Sequence, residues 1–228
     1  MKFGLVAPFY NNFSFTDSFV KSIRRFSQNY QMVLIDNGSD SDVKEKVKGF
    51  LEPNDILLSN EQNLGFAKAV NQGLQKVDTE FICILNNDVE VCEHWLEILE
   101  GYFSRLGGFV GPVGGNVSVN EIGITKVVQA VPGEVDYLGM ACMFSSKCNF
   151  DLVGPLSEDY GLAYCEDTDY GMRILQKGLH SYIVPIPIKH YGGKTATLLN
   201  PTLLTQGENV KKFFSRWHKF LGERSERP

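Results

Sequence analysis

Hydrophobic positions in the first part of the chain follow two alternating periods. Short apolar runs at Lys2–Ala7, Met32–Ile35, Ile56–Ser59 and Phe81–Leu85 have the length and composition of buried strands. Between them, Thr16–Phe26 repeats Phe19, Ile23 and Phe26 at helical spacing, with Thr16 or Asp17 near the cap. A polar helix is predicted over Asp42–Phe50. Another over Gly65–Lys76 turns Ala67, Val70 and Leu74 inward. Strand–helix alternation of this kind predicts an α/β fold, a mostly parallel central sheet flanked by helices.

The rhythm changes beyond Leu85. Asn86-Asn87-Asp88 ends the apolar run, and Val89-Glu90-Val91 reads as a turn towards a helix at Glu93–Phe103. Gly107–Gly115 is glycine-rich, Val117–Val131 is rich in β-branched residues, and Val135–Phe144 is an apolar run broken by Gly139. These predict a smaller mixed-sheet half. A helix at Thr168–Lys177 meets Gly178, a fitting residue just past a helix end. Ser181–Val184 is a strand, Pro185 and Pro187 bar a helix beyond it, and Glu208–Leu221 is a last helix. With no repeat or linker composition, residues 1–228 read as one domain.

Composition narrows the class. A chain of 228 residues that is 43% hydrophobic can bury a full core. Its net charge of -5 gives no general attraction to nucleic acid. The apolar start, Phe3 to Ala7, is too short for a signal segment, and no stretch approaches a membrane span. Five scattered cysteines without a CxxC pair argue against a disulfide framework or zinc site and fit a reducing, cytoplasmic setting.

The candidate chemistry lies where predicted strands end, since ligands of open α/β sheets bind at the carboxyl edge. Asp88 closes a polar triplet there and is placed to hold a divalent metal through hard oxygen ligands; a turn cluster is the alternative. Asp36, in Ile35-Asp36-Asn37-Gly38-Ser39, is able to accept from the ring N–H of a pyrimidine base, or to serve an ordinary turn. In Pro8-Phe9-Tyr10-Asn11, Tyr10 is placed to pack on the base and Asn11 to give a polar contact, against core packing and a turn. Asn63, Gly65 and Asn71 bracket a helix start, where free N–H groups suit phosphate or sugar oxygens. The segment Glu166-Asp167-Thr168-Asp169 stands at the start of the predicted helix running to Lys177, and helix capping accounts for only one of its three carboxylates. A carboxylate, with a reference pKa near ~3.9, is ionised and ready to take a hydroxyl proton. His190, among glycines and lysines beyond a strand, suits metal or diphosphate contact.

Taken in order, these pieces resemble the glycosyltransferase family 2 enzymes of GT-A fold, inverting and rhamnosyltransferase-like. The matching segments are Val6-Ala7-Pro8-Phe9-Tyr10-Asn11, Ile35-Asp36-Asn37-Gly38-Ser39, Asn63-Leu64-Gly65-Phe66-Ala67 with Asn71 and Gly73, Leu85-Asn86-Asn87-Asp88-Val89, Cys165-Glu166-Asp167-Thr168-Asp169 with Arg173 and Gly178, and His190. They span about residues 3 to 195. The resemblance implies a nucleotide-binding half over about 1–90, an acceptor and catalytic half over about 91–200, and a C-terminal helix over about 207–221. It implies that Pro8, Tyr10, Asn11, Asp36, Asn63, Gly65, Asn71, Asn86 and Asn87 bind a UDP- or dTDP-sugar donor. Asp88 and His190 would hold Mn²⁺ or Mg²⁺, Glu166 would position a sugar, and Asp167 would be the catalytic base. Asn86 stands where many relatives carry the first Asp of a DxD triplet.

The expected reaction is inverting, metal-dependent transfer to a hydroxyl acceptor, a glycan or lipid-linked saccharide, with a nucleic-acid base or a protein as alternatives. Neither rival enzyme class has its motif. A sugar nucleotidyltransferase would carry a glycine-rich basic loop after the first strand, and a dinucleotide-binding dehydrogenase would carry GxGxxG there. A non-catalytic nucleotide-sugar-binding module is the remaining alternative. The basic, aromatic segment Lys211–Phe220 reads either as peripheral membrane contact or as a helix burying Phe213, Phe214 and Trp217.

Overall fold

The computed structural model describes residues 1–120, 123–129, 131–192 and 206–225. The first part runs β1 (Phe3–Phe9), α1 (Phe13–Phe26), β2 (Tyr30–Asp36), α2 (Ser41–Lys48), β3 (Ile56–Ser59), α3 (Phe66–Leu74) and β4 (Phe81–Leu85). All residues of β1 and β4 are buried, as a parallel strand covered on both faces requires. The two-residue period of a strand sorts their side chains between two helical layers. Leu5, Ala7, Phe9, Met32, Leu34, Cys83 and Leu85 pack with Phe19, Val20 and Ile23 of α1. Val6, Val33, Ile35, Ile82 and Ile84 pack with Ala67, Ala69 and Val70 of α3.

The second part adds β5 (Val89–Val91), α4 (Trp95–Leu106), β6 (Phe109–Gly111), β7 (Gly114–Asn120), β8 (Gly123–Gln129), β9 (Gly133–Val135), β10 (Tyr137–Leu138) and β11 (Cys142–Ser146). There follow α5 (Lys147–Val153), a 3-10 turn at Glu158–Tyr160, α6 (Glu166–Gln176), β12 (Ser181–Ile183), β13 (Ile188–His190) and α7 (Gln206–Ser225). The main sheet has the order β3-β2-β1-β4-β11-β6-β12-β9. Its first four strands are parallel, and β11 runs antiparallel between β4 and β6. The switch to a mixed sheet therefore falls at β11; the predicted apolar run Val135–Phe144 is divided among the end of β9, β10 and the start of β11.

Several local expectations are corrected. Val89–Val91 is a strand rather than a turn, because β13 pairs with it antiparallel. Helix α5 escaped the pattern: it is one short amphipathic stretch whose start is marked by Ser146, whose Oγ accepts from the Asn149 amide at 3.3 Å. Helix α6 begins at Glu166, so the acidic residues form its first turn rather than preceding it. The helix end agrees with expectation: Gly178 has φ +72°, its amide donates to Leu175, and Leu179 donates to Ile174, the paired bonds of a glycine-terminated helix. Among the described residues no helix is long and apolar enough to cross a membrane.

Candidate active site

The carboxyl ends of β1, β2 and β4 lie side by side and bring the first group of residues together. Pro8 is buried in β1 opposite Ile35, and its ladder to β4 ends earlier, at Val6. Tyr10 lies half-buried just beyond. Asn11 adopts φ +50°; its amide donates to Ser39 Oγ and its Oδ1 accepts from the Asp40 amide, both at 2.8 Å. That oxygen ties the loop after β1 to the loop after β2.

Asp36 closes β2 with a side chain only 1% exposed. Its Oδ1 accepts the Ser39 amide at 2.8 Å. Its Oδ2 is buried without a hydrogen-bond partner, and Lys44 Nζ on α2 stands 3.8 Å away. Buried acceptors are almost always paired. An orphan carboxylate oxygen at a sheet's carboxyl edge is suited to a ligand N–H.

The entry to α3 is built by Asn37, a residue absent from the sequence-derived candidates. Its Nδ2 donates to Asn63 Oδ1 at 2.9 Å and to the Gly65 carbonyl at 3.2 Å, while its Oδ1 accepts from Asn60 and from the Leu64 amide. Asn63 Oδ1 also accepts from the Gly65 amide at 3.0 Å. Gly65 has φ +89°, and a Cβ there would collide with the Gly161 carbonyl. Its bare backbone is thus filled by the protein itself. Asn71 is likewise engaged: Nδ2 donates to the Leu156 carbonyl and to Glu158 Oε1, and Oδ1 accepts the Leu156 amide, all within 2.9 Å. Its buried amide fixes the segment ahead of α6 against α3.

Beyond β4, the Asn86 amide donates to the Ala141 carbonyl, and buried Asn87 donates to Thr16 of α1 at 3.0 Å. Asp88 is 5% exposed, and its Oδ1 lies 3.2 Å from His190 Nε2. The β5–β13 ladder produces this meeting: His190 sits opposite Val89, and the Tyr191 amide donates to the Asp88 carbonyl. A carboxylate beside a partly exposed imidazole is a donor set that fits a divalent cation whose other ligands are phosphate oxygens. Among the described residues no group of three or more His, Cys, Asp or Glu side chains forms a metal cluster.

The first turn of α6 follows two strained residues, Tyr164 and Cys165, each at φ +75°. Non-glycine residues with positive φ concentrate where surrounding contacts impose them. Asp167 is half-buried, and its Oδ1 accepts the Thr168 amide at 2.7 Å and Thr168 Oγ1 at 2.9 Å. Neighbouring Tyr137 has its hydroxyl pKa raised by burial and by the Asp167 charge. Glu166 opens the helix, half-buried. Asp169 has a different task. Fully buried, its Oδ1 accepts from Tyr160 Oη, Arg216 Nη1 and Trp217 Nε1 at 2.8–2.9 Å. Burial and the Asp169 charge raise the Tyr160 pKa. Burial alone would lower the Arg216 pKa, but the bonds to Asp159 and Asp169 raise it.

Helix α7 therefore docks. Phe213, Trp217 and Leu221 are buried with Val117, Tyr137, Tyr160 and Met172. Asn209 Nδ2 donates to the carbonyls of Tyr160, Ala163 and Tyr164. Phe214, expected to be buried on this reading, is 37% exposed and stacks on His218 instead, because successive helical positions cannot share one face. Of the glycines and lysines around His190, Gly193 and Lys194 lie outside the described residues.

A mixed α/β fold with a large, mostly parallel central sheet flanked by helices matches the structures of GT-A glycosyltransferases. The chain belongs to glycosyl transferase family 2, whose sequence profile matches residues 5–125. Solved structures agree in fold. GalNAc-T7, crystallised with UDP, GalNAc and Mn²⁺, matches with a TM-score of 0.69 and 18% identity over 83% of this chain and 44% of its own. Staphylococcus aureus TarS 1-349 in complex with UDP-GlcNAc gives 0.64 and 16%, over 88% and 62%. The mannosyltransferase PcManGT from Pyrobaculum calidifontis, with GDP-Man and Mn²⁺, gives 0.64 and 14%, over 81% and 55%. An uncharacterized glycosyltransferase of Rickettsia bellii is 27% identical over 88 residues, which is 38% of this chain and 13% of that protein.

Proposed function

We propose that the chain is a metal-dependent, inverting glycosyltransferase that moves a sugar from a UDP- or dTDP-sugar to a hydroxyl acceptor, a saccharide or lipid-linked saccharide. The observation that carries this reading is the pairing of Asp88 with His190 at 3.2 Å beyond β4, together with the orphaned carboxylate oxygen of Asp36 at the end of β2, two strands away in the same sheet. Base reading and charge neutralisation need those two features at one sheet edge. The nucleotides and Mn²⁺ held by GalNAc-T7 and PcManGT support a nucleotide-sugar donor and a divalent cation.

Asp88 and His190 would hold the cation, which when bound offsets charge on the diphosphate. Asp36 orients the base. Asn37 and Asn63 shape the turn into α3 beside it. The acceptor oxygen bonds to the anomeric carbon as the bond from that carbon to the diphosphate oxygen breaks. The hydroxyl proton passes to Asp167, and the nucleoside diphosphate leaves. Attack opposite the leaving group inverts the centre, the two-sided arrangement that inverting glycosidases also use.

Asp167 already serves the Thr168 amide, so the capping role and the catalytic role must be separated by experiment. Asp167→Asn keeps an oxygen for that amide, and Asn and Asp cap comparably. Transfer measured by nucleoside diphosphate release should fall by about 10²–10⁴-fold, the usual contribution of a general base, while UDP affinity stays near wild type. Near-normal turnover would reduce Asp167 to a structural residue of the first turn of α6.

A further inference from the structure

Resting on the donor reading above, we infer that Lys44 is a second base-reading residue, which with Asp36 selects bases that carry a ring N–H beside a carbonyl. Sequence inspection gave Lys44 no role. It sits on a polar helix, where a lysine is an ordinary solvated residue. The fold changes that. Val43 and Val47 bury one face of α2, and this turns Lys44 towards the end of β2. Its Nζ lies 3.8 Å from Asp36 Oδ2, with a side chain 33% exposed. At that separation the ammonium compensates the buried charge without giving Oδ2 a hydrogen bond, and Oδ2 has none. Acceptor and donor stand side by side, and both keep capacity for a ligand.

Their order matches one kind of nucleobase edge. Uracil and thymine present N3–H between two carbonyls. A base giving N3–H to Asp36 Oδ2 sets an adjacent carbonyl towards Lys44, which only donates. Cytosine has a bare N3 at the middle position, so an acceptor would face the carboxylate. Only a sideways slip would bring its amine onto Asp36, and the ribose and diphosphate, anchored elsewhere, oppose such a slip. Asp36 alone discriminates by one contact. With Lys44 the pair discriminates by two, and leaving a polar partner unmatched is what makes such sites selective.

Titration calorimetry with UDP and with CDP, each with Mn²⁺, tests the assignment in the wild type, Lys44→Met, Lys44→Arg and Asp36→Asn. The wild type should prefer UDP. Lys44→Met should weaken UDP by about 10-fold, as expected for one charged hydrogen bond partly open to solvent. CDP should change little, and Lys44→Arg should retain most of the preference. Equal weakening of UDP and CDP by Lys44→Met would mean a general attraction to phosphate and would overturn the inference. So would an unchanged UDP affinity. If UDP preference is lost in Asp36→Asn but intact in Lys44→Met, Lys44 is excluded while the donor reading stands. A wild type indifferent between the nucleotides overturns the donor reading itself. Melting curves of each variant confirm that the comparison is between folded proteins.

Discussion

Single residues at this site divide into those with capacity left for a ligand and those whose capacity the fold consumes. Asp36 belongs to the first kind, with one buried oxygen unpaired. Asn71 belongs to the second, with both ends of its amide committed to Leu156 and Glu158. Gly73 shows a third use, close packing. A Cβ added there would meet Val6 Cγ1 and Ile35 Cδ1 on the sheet beneath α3. Alanine is intrinsically better than glycine in a helix by roughly 0.8–1 kcal/mol. Overpacking a filled core costs about 1–3 kcal/mol, and the stiff, buried Val6 has no free space to yield. The collision should win: Gly73→Ala is expected to lower stability by about 1 kcal/mol net, read as an earlier midpoint in urea unfolding.

At the scale of elements, α7 acts on α6 and on the loop before it. Asp169 gathers Tyr160, Arg216 and Trp217 onto one oxygen, and Asn209 collects the carbonyls of Tyr160, Ala163 and Tyr164. These contacts hold the positive-φ residues Tyr164 and Cys165 immediately ahead of Glu166 and Asp167. Asp169→Ala would leave a phenol and an indole without their acceptor, and a guanidinium with only Asp159 and Ser157. Breaking a buried charge pair costs about 3–5 kcal/mol; Arg216 is 38% exposed and keeps Asp159, which brings the expectation below that range, to about 2–3 kcal/mol. Urea unfolding should show that loss, and limited proteolysis should cut the loop ahead of α6 sooner than in the wild type. Unaltered proteolysis would mean that α7 does not restrain this loop.

For the whole molecule, the segment from Leu156 to Cys165 is held between α3 and α7. Helix α3 grips it through Asn71, through the close approach of Gly65 to Gly161, and through the Phe66 amide on the Leu162 carbonyl. Helix α7 grips it from its other side of the sequence through Asn209 and Lys212. The start of α3 and the acidic turn of α6 are thus held in one framework. Since a ligand that binds only the native state raises stability, UDP with Mn²⁺ at about 100 times the dissociation constant should stabilise the protein by about 2.7 kcal/mol. Chelation, or Asp88→Ala, should remove most of the metal-linked part in a thermal-shift measurement. An equal shift in Asp88→Ala would move the cation elsewhere.

The apolar pattern alone determined the parallel half of the sheet, and two strands, Ile56–Ser59 and Phe81–Leu85, agree to the residue. Buried strands and amphipathic helices are written in local periodicity, so these were legible. The same local logic located Asp36 and Asp88, because a carboxylate ending an apolar run marks a strand's carboxyl edge. It failed where an element exists only through a distant partner. Val89–Val91 is a strand because β13 lies beside it, and no local signal announces that pairing. Nor did spacing tell Asp167 from Asp169, two positions apart on one helix. Only the docking of Arg216 and Trp217 made Asp169 a buried anchor and left Asp167 at the half-buried turn. The approach of Lys44 to Asp36 was equally invisible, since it depends on how α2 lies on the sheet. The sequence determined which residues could do chemistry; tertiary packing decided which of them kept a polar atom unspent, because hydrogen-bond capacity is consumed by neighbours that only the folded chain supplies.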